Sequence, residues 1–275
     1  MSAKPGFLRD APPAAGEVAT RTARTLLLVV LLLLPAGRAR ADDIVVMTSG
    51  AFTAAYLELS EQFARATGHR FVTATTTMGV GRESIPSRLA AGEPADVVIV
   101  AADALDALIR DRRVVPRGRV DLAKSSIALA VRSGTPVPDI SSVEALKRTL
   151  LQAKSVAYSA SVSGDYLASS LFPRLGIGDE MKAKSQRIER ERVGAVVARG
   201  DAELGFQQVS ELQPIPGIHI VGLLPPDVQL VTVFSGGLAR QASHPEAAQA
   251  FLAFLAAPAA QAVIVKSGLE PVTHQ

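Results

Sequence analysis

Apolar positions recur along this chain in two rhythms. The run "DIVVM", 43–47, is short and continuous, and it breaks into Thr48, Ser49 and Gly50. Apolar residues then return every three or four positions, at Phe52, Ala55, Leu59, Phe63 and Ala66. That spacing predicts a helix over 52–67, which Gly68 can cap. "RFVTATTT" predicts a β-branched strand, and "SIPSRLAAG" a short helix with Pro86 in its first turn and Gly92 at its end. "ADVVIVA" has no polar interruption after its aspartate, the mark of a strand buried on both faces. "DALDALIRD" predicts a helix with Asp103 as N-cap. Three strand–helix units in succession predict a doubly wound α/β layer.

A second region follows. "SSIALAVRSG" predicts a strand, and Ser141 with Glu144 a capping box for the helix "VEALKRTLLQA". "SVAYSA" predicts a strand, "DYLASSLFPRLG" a helix broken or kinked at Pro173, and "VGAVVARG" a short helix. "AELGFQQV" and "GIHIVGLL" are further strands, and "VQLVTVFSGGLA" is the longest strand candidate. The closing stretch from His244 to Gly268 predicts two helices split at Pro258.

Ahead of all this lies an apolar run, Leu26 to Leu34, preceded by Arg21 and Arg24 and followed by Ala39-Arg40-Ala41. This is the anatomy of a cleaved export signal, and the run falls short of the roughly 20 residues a membrane span needs. Residues 1–41 hold six basic and two acidic groups. The remaining 42–275 carry 23 basic and 24 acidic residues, so the net charge of +3 for the whole chain gives no reason to expect nucleic acid or lipid partners. There is no cysteine, which excludes disulfides and thiol catalysis. The four histidines are scattered without metal spacing and read as surface residues.

Several phrases, taken together, resemble one family. They are the first strand ending in small residues, "RLAAGEPADVVIVAAD" (88–103), "SIALAVRSGTP" (126–136), "GDAELGFQQVSEL" (200–212), and the closing "HPEAAQAFLAFLAAPAAQAVIVKSGLEPV". The family is that of periplasmic substrate-binding proteins of ABC importers with the type II fold, nearest to its molybdate-binding branch. The resemblance implies two doubly wound α/β lobes joined by two hinge strands near 121–126 and 230–236. Lobe one is expected over 42–122 plus 236–275, lobe two over 123–235.

Ligands of open α/β sheets bind beyond the carboxyl ends of the strands. Here those ends are 48–52, 75–82, 158–165 and 207–210, rich in Ser, Thr, Gly and Gln. Small hydroxyls ahead of helix starts suit an anion. The resemblance implies an oxyanion held by two serines of lobe one, two backbone amides of lobe two and a tyrosine. The first serine falls at Ala51, beside Ser49, Gly50 and Phe52, and the second near Met78, beside Thr77 and Gly79. The amides fall at Ser163, with Ser161 and Gly164 alongside, and at Arg192 or Val193; the tyrosine position holds Gln208. Arg82 and Arg192 admit another ligand class, since arginine grips carboxylates bidentately.

The function expected from this reading is a receptor, not an enzyme. It would be a monomer that captures a molybdate- or tungstate-like oxyanion and delivers it to an ABC permease, with no cofactor, metal, nucleic acid or membrane insertion. A small organic carboxylate as ligand, or a sensory role, stay open as alternatives. Catalysis is set aside because the chain has no cysteine nucleophile and no G-x-S-x-G elbow, and shows no carboxylate pair or histidine cluster near the strand ends.

Overall fold

The apolar runs pair into two sheets, and the chain crosses between them twice. The structure, a computed structural model, describes residue 1 and residues 41–48, 50–74, 82 and 84–272. The proposed export signal therefore lies almost wholly outside the described residues. Ala41–Gln275 forms one compact unit.

The first sheet has six strands in the order β11-β4-β10-β3-β1-β2. They are β1 (Asp43–Thr48), β2 (Arg70–Ala74), β3 (Val97–Ala101), β4 (Val120–Ser125), β10 (Thr232–Leu238) and β11 (Glu270–Pro271). β1 runs parallel to β2 and β3, whereas β10 is antiparallel to β3 and β4. The second sheet has five strands in the order β7-β6-β8-β5-β9. These are β5 (Ile127–Arg132), β6 (Val156–Ser159), β7 (Ser185–Ile188), β8 (Leu204–Gln208) and β9 (Ile218–Leu223). β6 is parallel to both β7 and β8, so their carboxyl ends share one edge. This is the mixed α/β architecture that the alternating pattern predicts, divided into the two sheets that the family resemblance implies.

Each sheet has its own core. In the first lobe Phe52, Tyr56, Leu59 and Phe63 bury the helical stripe of Thr53–Thr67 against Phe251 and Leu252 of the helix Pro245–Ala256. In the second, Ile127, Leu129, Leu146, Leu167, Phe172 and Phe206 pack together. Tyr166 sits against that core and its hydroxyl donates to the Val228 carbonyl at 2.9 Å. β4 runs into β5, and β10 returns the chain beside β4. These are the two connections between the sheets. Among the described residues no single helix is long and apolar enough to cross a membrane.

Some local expectations change. The helix Ala102–Arg110 is capped at Ala101, with Asp103 inside its first turn. The helix Val143–Gln152 is capped by Ser142, whose Oγ accepts from the Ala145 N–H at 3.1 Å. Ser141 is unavailable for capping, because its N–H and hydroxyl both donate to Asp139 Oδ1. The helix ahead of Pro173 starts earlier than expected, at Val162, and widens into a π turn at Leu167–Leu171. That turn accommodates the proline, which cannot donate to the preceding turn. His69 is not a surface residue. Its side chain is 12% exposed, stacks on Phe63 and accepts from the Asp42 N–H at 3.1 Å.

Candidate active site between the sheets

The carboxyl ends of β1, β6 and β8 supply the candidate site. After β1 the chain makes a single 3₁₀ turn, Gly50–Phe52, before the helix Thr53–Thr67. Thr53 closes this turn by donating from Oγ1 to the Gly50 carbonyl at 2.9 Å. Across the gap between the sheets, the same turn packs against Val209–Leu212, the one-turn helix that follows β8.

At the end of β6 three serines recur at alternate positions. Ser159 Oγ lies 2.7 Å from Ser161 Oγ and 3.3 Å from Ser163 Oγ, and the last two are 3.1 Å apart. The three hydroxyls close a ring and satisfy one another. Gly164 makes the ring possible, since a Cβ there would sit 1.7 Å from the Ser159 carbonyl oxygen.

The end of β8 is built differently. Gln207 Oε1 accepts from the Val193 N–H at 2.9 Å, at the start of the helix Val193–Arg199. With its oxygen committed, the amide must turn its Nε2 outward, where it donates to Glu211 Oε1 at 3.0 Å. Glu211 is buried, and its Oε2 has no hydrogen-bond partner among the described residues. Burial pushes its carboxyl from the usual 4.5 up to about 7, while the positive charge of Arg192 and the Gln207 bond pull the other way. The Ser210 hydroxyl beside it is also buried, with no partner among the described residues.

Of the residues predicted from the sequence, Ser49, Thr77, Met78 and Gly79 lie outside the described residues. Gly50, Ala51 and Phe52 form the lobe-one turn, with the side chains of both Ala51 and Phe52 buried in the lobe-one core. Arg82 is exposed. Ser161, Ser163 and Gly164 come together at the end of β6. Arg192 is half-buried beside Glu211, but the Val193 N–H expected to face a ligand is taken by Gln207. Gln208 is also spoken for. In the amide orientation that satisfies both of its ends, it donates to Ser125 Oγ at 2.8 Å and accepts from Thr232 Oγ1 at 3.2 Å, which ties it to the crossing strands.

Sequence reasoning missed Ser159, Gln207 and Glu211. The serines at i, i+2 and i+4 of "SASVSG" were a readable signal. So was an acid four residues after a glutamine in "QQVSEL", at a strand–helix junction.

Comparison with known proteins agrees with this geometry in part. The family model described as bacterial extracellular solute-binding protein matches residues 44–270. A Pseudomonas protein named aconitate isomerase is 48% identical over 233 residues, covering 84% of this chain and 89% of that one. Among solved structures, the periplasmic molybdate-binding protein of Azotobacter vinelandii aligns with a TM-score of 0.67 at 21% identity, covering 84% of this chain and all of that one. The binding protein AgtB of Agrobacterium tumefaciens, in complex with agropinic acid, aligns with a TM-score of 0.63 at 16% identity, covering 84% and 83%. At such identities the solved structures establish the type II periplasmic binding protein fold and nothing finer.

The 48% relative overturns one expectation. It carries an enzyme's name, so the grounds used to set catalysis aside do not hold. Those grounds sought a thiol, a serine elbow or a cluster of carboxylates and histidines. An isomerase that moves one proton needs none of these, and a lone buried carboxyl in "QQVSEL" escaped that search.

Proposed function

Because the chain belongs to the bacterial extracellular solute-binding proteins, we propose that it uses their cleft for chemistry, as an isomerase of aconitate or a closely similar unsaturated tricarboxylate. The observation that carries this reading is the 48% identity to an aconitate isomerase, which extends over 233 residues and so spans both lobes. Aconitate is a propene bearing three carboxylates. Its methylene carbon and its vinylic carbon flank the same substituted carbon. Moving one proton from the first to the second shifts the double bond and regenerates the same connectivity. That shift interconverts the cis and trans forms. It requires one proton carrier and cations for the carboxylates.

Arg192 and Arg82 are the proposed carboxylate partners, through bidentate bonds. The run Leu26–Leu34 with Ala39-Arg40-Ala41 would deliver the chain outside the cytoplasm, where it would act on such a substrate. The lobes would close on the substrate about β4 and β10, excluding water around the transferred proton. Capture of a molybdate-like oxyanion for an import permease finds support in the fold neighbours. Ala51, which has no hydroxyl, and the occupied Val193 N–H speak against it.

The test is direct. The purified exported protein is incubated separately with cis- and trans-aconitate, and proton NMR follows both. Convergence on one equilibrium mixture from either side is the expected result. Absence of conversion from both sides at micromolar protein would sink the reading.

A further inference from the structure

Resting on the isomerase reading, we infer that Glu211 is the catalytic proton carrier: its carboxylate takes a proton from the substrate's methylene carbon and returns it to the vinylic carbon. The electron pair freed at the methylene becomes the new double bond, the old one accepts the proton, and no other reactant is consumed.

The geometry rests on three observations. Glu211 lies just past the carboxyl end of β8, on the short helix that faces the lobe-one turn Gly50–Phe52. Parting of the lobes at that contact is what would admit a substrate to it. Second, only one of its oxygens is held. Gln207 fixes Oε1, and Oε2 is buried with nothing bonded to it among the described residues. A buried polar atom without a partner is costly and calls for an explanation, and a catalytic role is one that fits here. Third, Gln207 is itself locked by the Val193 N–H, so the carboxylate is held from behind by a group that can only donate. This is how a base is aimed.

The chemistry agrees. A carboxyl lifted to about 7 is a stronger base than an ordinary glutamate and can change state near neutral pH. Its charged surroundings are simple. Arg192 acts on it from the start of the helix Val193–Arg199, and Arg199 at the far end of that helix is paired with Glu191 and Asp201. β8 and the turn Gly50–Phe52 contain no ionisable residue, and β5 carries only Arg132, at its far end. From the closing helix of lobe one, Lys266 pairs with Glu58.

The deciding experiment uses Glu211→Gln, nearly the same shape without the base. Its kcat on aconitate should fall about 10²–10⁴-fold, while trans-aconitate affinity by calorimetry stays within threefold. A Glu211→Gln protein with the unaltered kcat overturns the inference and leaves the isomerase reading standing. If the unaltered protein itself converts no aconitate, the reading has failed first. Glu211→Asp covers the case in which the glutamine variant does not fold. It keeps the charge but withdraws the carboxyl by one methylene, and should lose at least tenfold in kcat; full activity overturns the inference. Finally, aconitate deuterated at its methylene should yield product with deuterium on the vinylic carbon. Product that keeps both deuterons on its methylene would mean rotation about the double bond, and would overturn the role for Glu211.

Discussion

β6 and β8 are parallel neighbours that end at the same edge of one sheet, yet their ends are finished in opposite ways. The end of β6 is a closed ring in which Ser159, Ser161 and Ser163 satisfy one another. The end of β8 is an open chain. Val193 N–H, Gln207 and Glu211 Oε1 bond in series, and the series stops at a buried oxygen with no partner among the described residues. A polar network that closes on itself stabilises a fold. One that stops short holds bonding capacity in reserve, at a cost in stability. The difference teaches where to look for chemistry: hydroxyls were the visible feature of this edge, but the carboxyl is the unfinished one.

The largest expected effect breaks the closed side. Gly164→Ala would press a methyl onto the Ser159 carbonyl, which stands 1.7 Å from the ideal Cβ position. Backbone cannot yield as a flexible side chain does, so the helix Val162–Tyr166 or the end of β6 must move. Destabilisation of about 3 kcal/mol is expected, at the upper end for overpacking. That corresponds to a Tm lower by roughly 6–12 °C for a chain of this size. Thermal unfolding followed by circular dichroism reads it, and an unchanged Tm would show that the ring does not constrain the strand end.

The next test addresses the open side through pH. The carboxyl of Glu211 is raised in the folded protein from 4.5 to about 7. The folded state therefore holds a proton that the unfolded state has released between those pH values. Stability tied to this group is fully present below about pH 4.5 and is lost as pH rises through about 7. The full loss is about 3 kcal/mol, since one pKa unit corresponds to about 1.4 kcal/mol. Glu211→Gln removes the titration. Its denaturation midpoint should match the parent near pH 4 and exceed it at pH 8. Parallel stability curves for the two proteins over that range would contradict a strained acid at the end of β8.

How much of this contrast was legible beforehand depends on the distance over which each signal acts. The helix Thr53–Thr67 was readable because Ala55, Leu59 and Phe63 repeat on one face and Gly68 closes it, with every cue inside one segment. The serine-rich edge of β6 was readable for the same reason. Capping at Ser142 instead of Ser141 was not, because the competing Asp139 bonds depend on the fold of a loop. Glu211 was the least legible residue of all. In the chain it is an ordinary acid in a short helix. It becomes unusual only once Gln207 is pinned by Val193 and the Gly50–Phe52 turn, distant in sequence, packs on its helix. The role of Gln208 is hidden in the sequence by the same cause. Its amide is absorbed by Ser125 and Thr232, which belong to strands crossing between the lobes.

The smallest effect is the most discriminating for the contrast itself. Ser161→Ala removes the hydroxyl that bonds Ser159 at 2.7 Å and Ser163 at 3.1 Å, and the remaining pair, 3.3 Å apart, can still bond. Ser161 is half-buried, so water can reach what is left. The cost in stability is therefore about 0.5–1.5 kcal/mol, the range for one ordinary hydrogen bond. Because the ring is closed, its loss should leave kcat for aconitate within twofold of the parent, even as Glu211→Gln abolishes most of it. Paired measurements of urea midpoint and turnover decide the matter. A Ser161→Ala protein of normal stability whose turnover falls more than tenfold would place the serines on the substrate. The ring would then be a hydroxyl cradle that the bound tricarboxylate opens, and the two strand ends would act together rather than divide structure from chemistry.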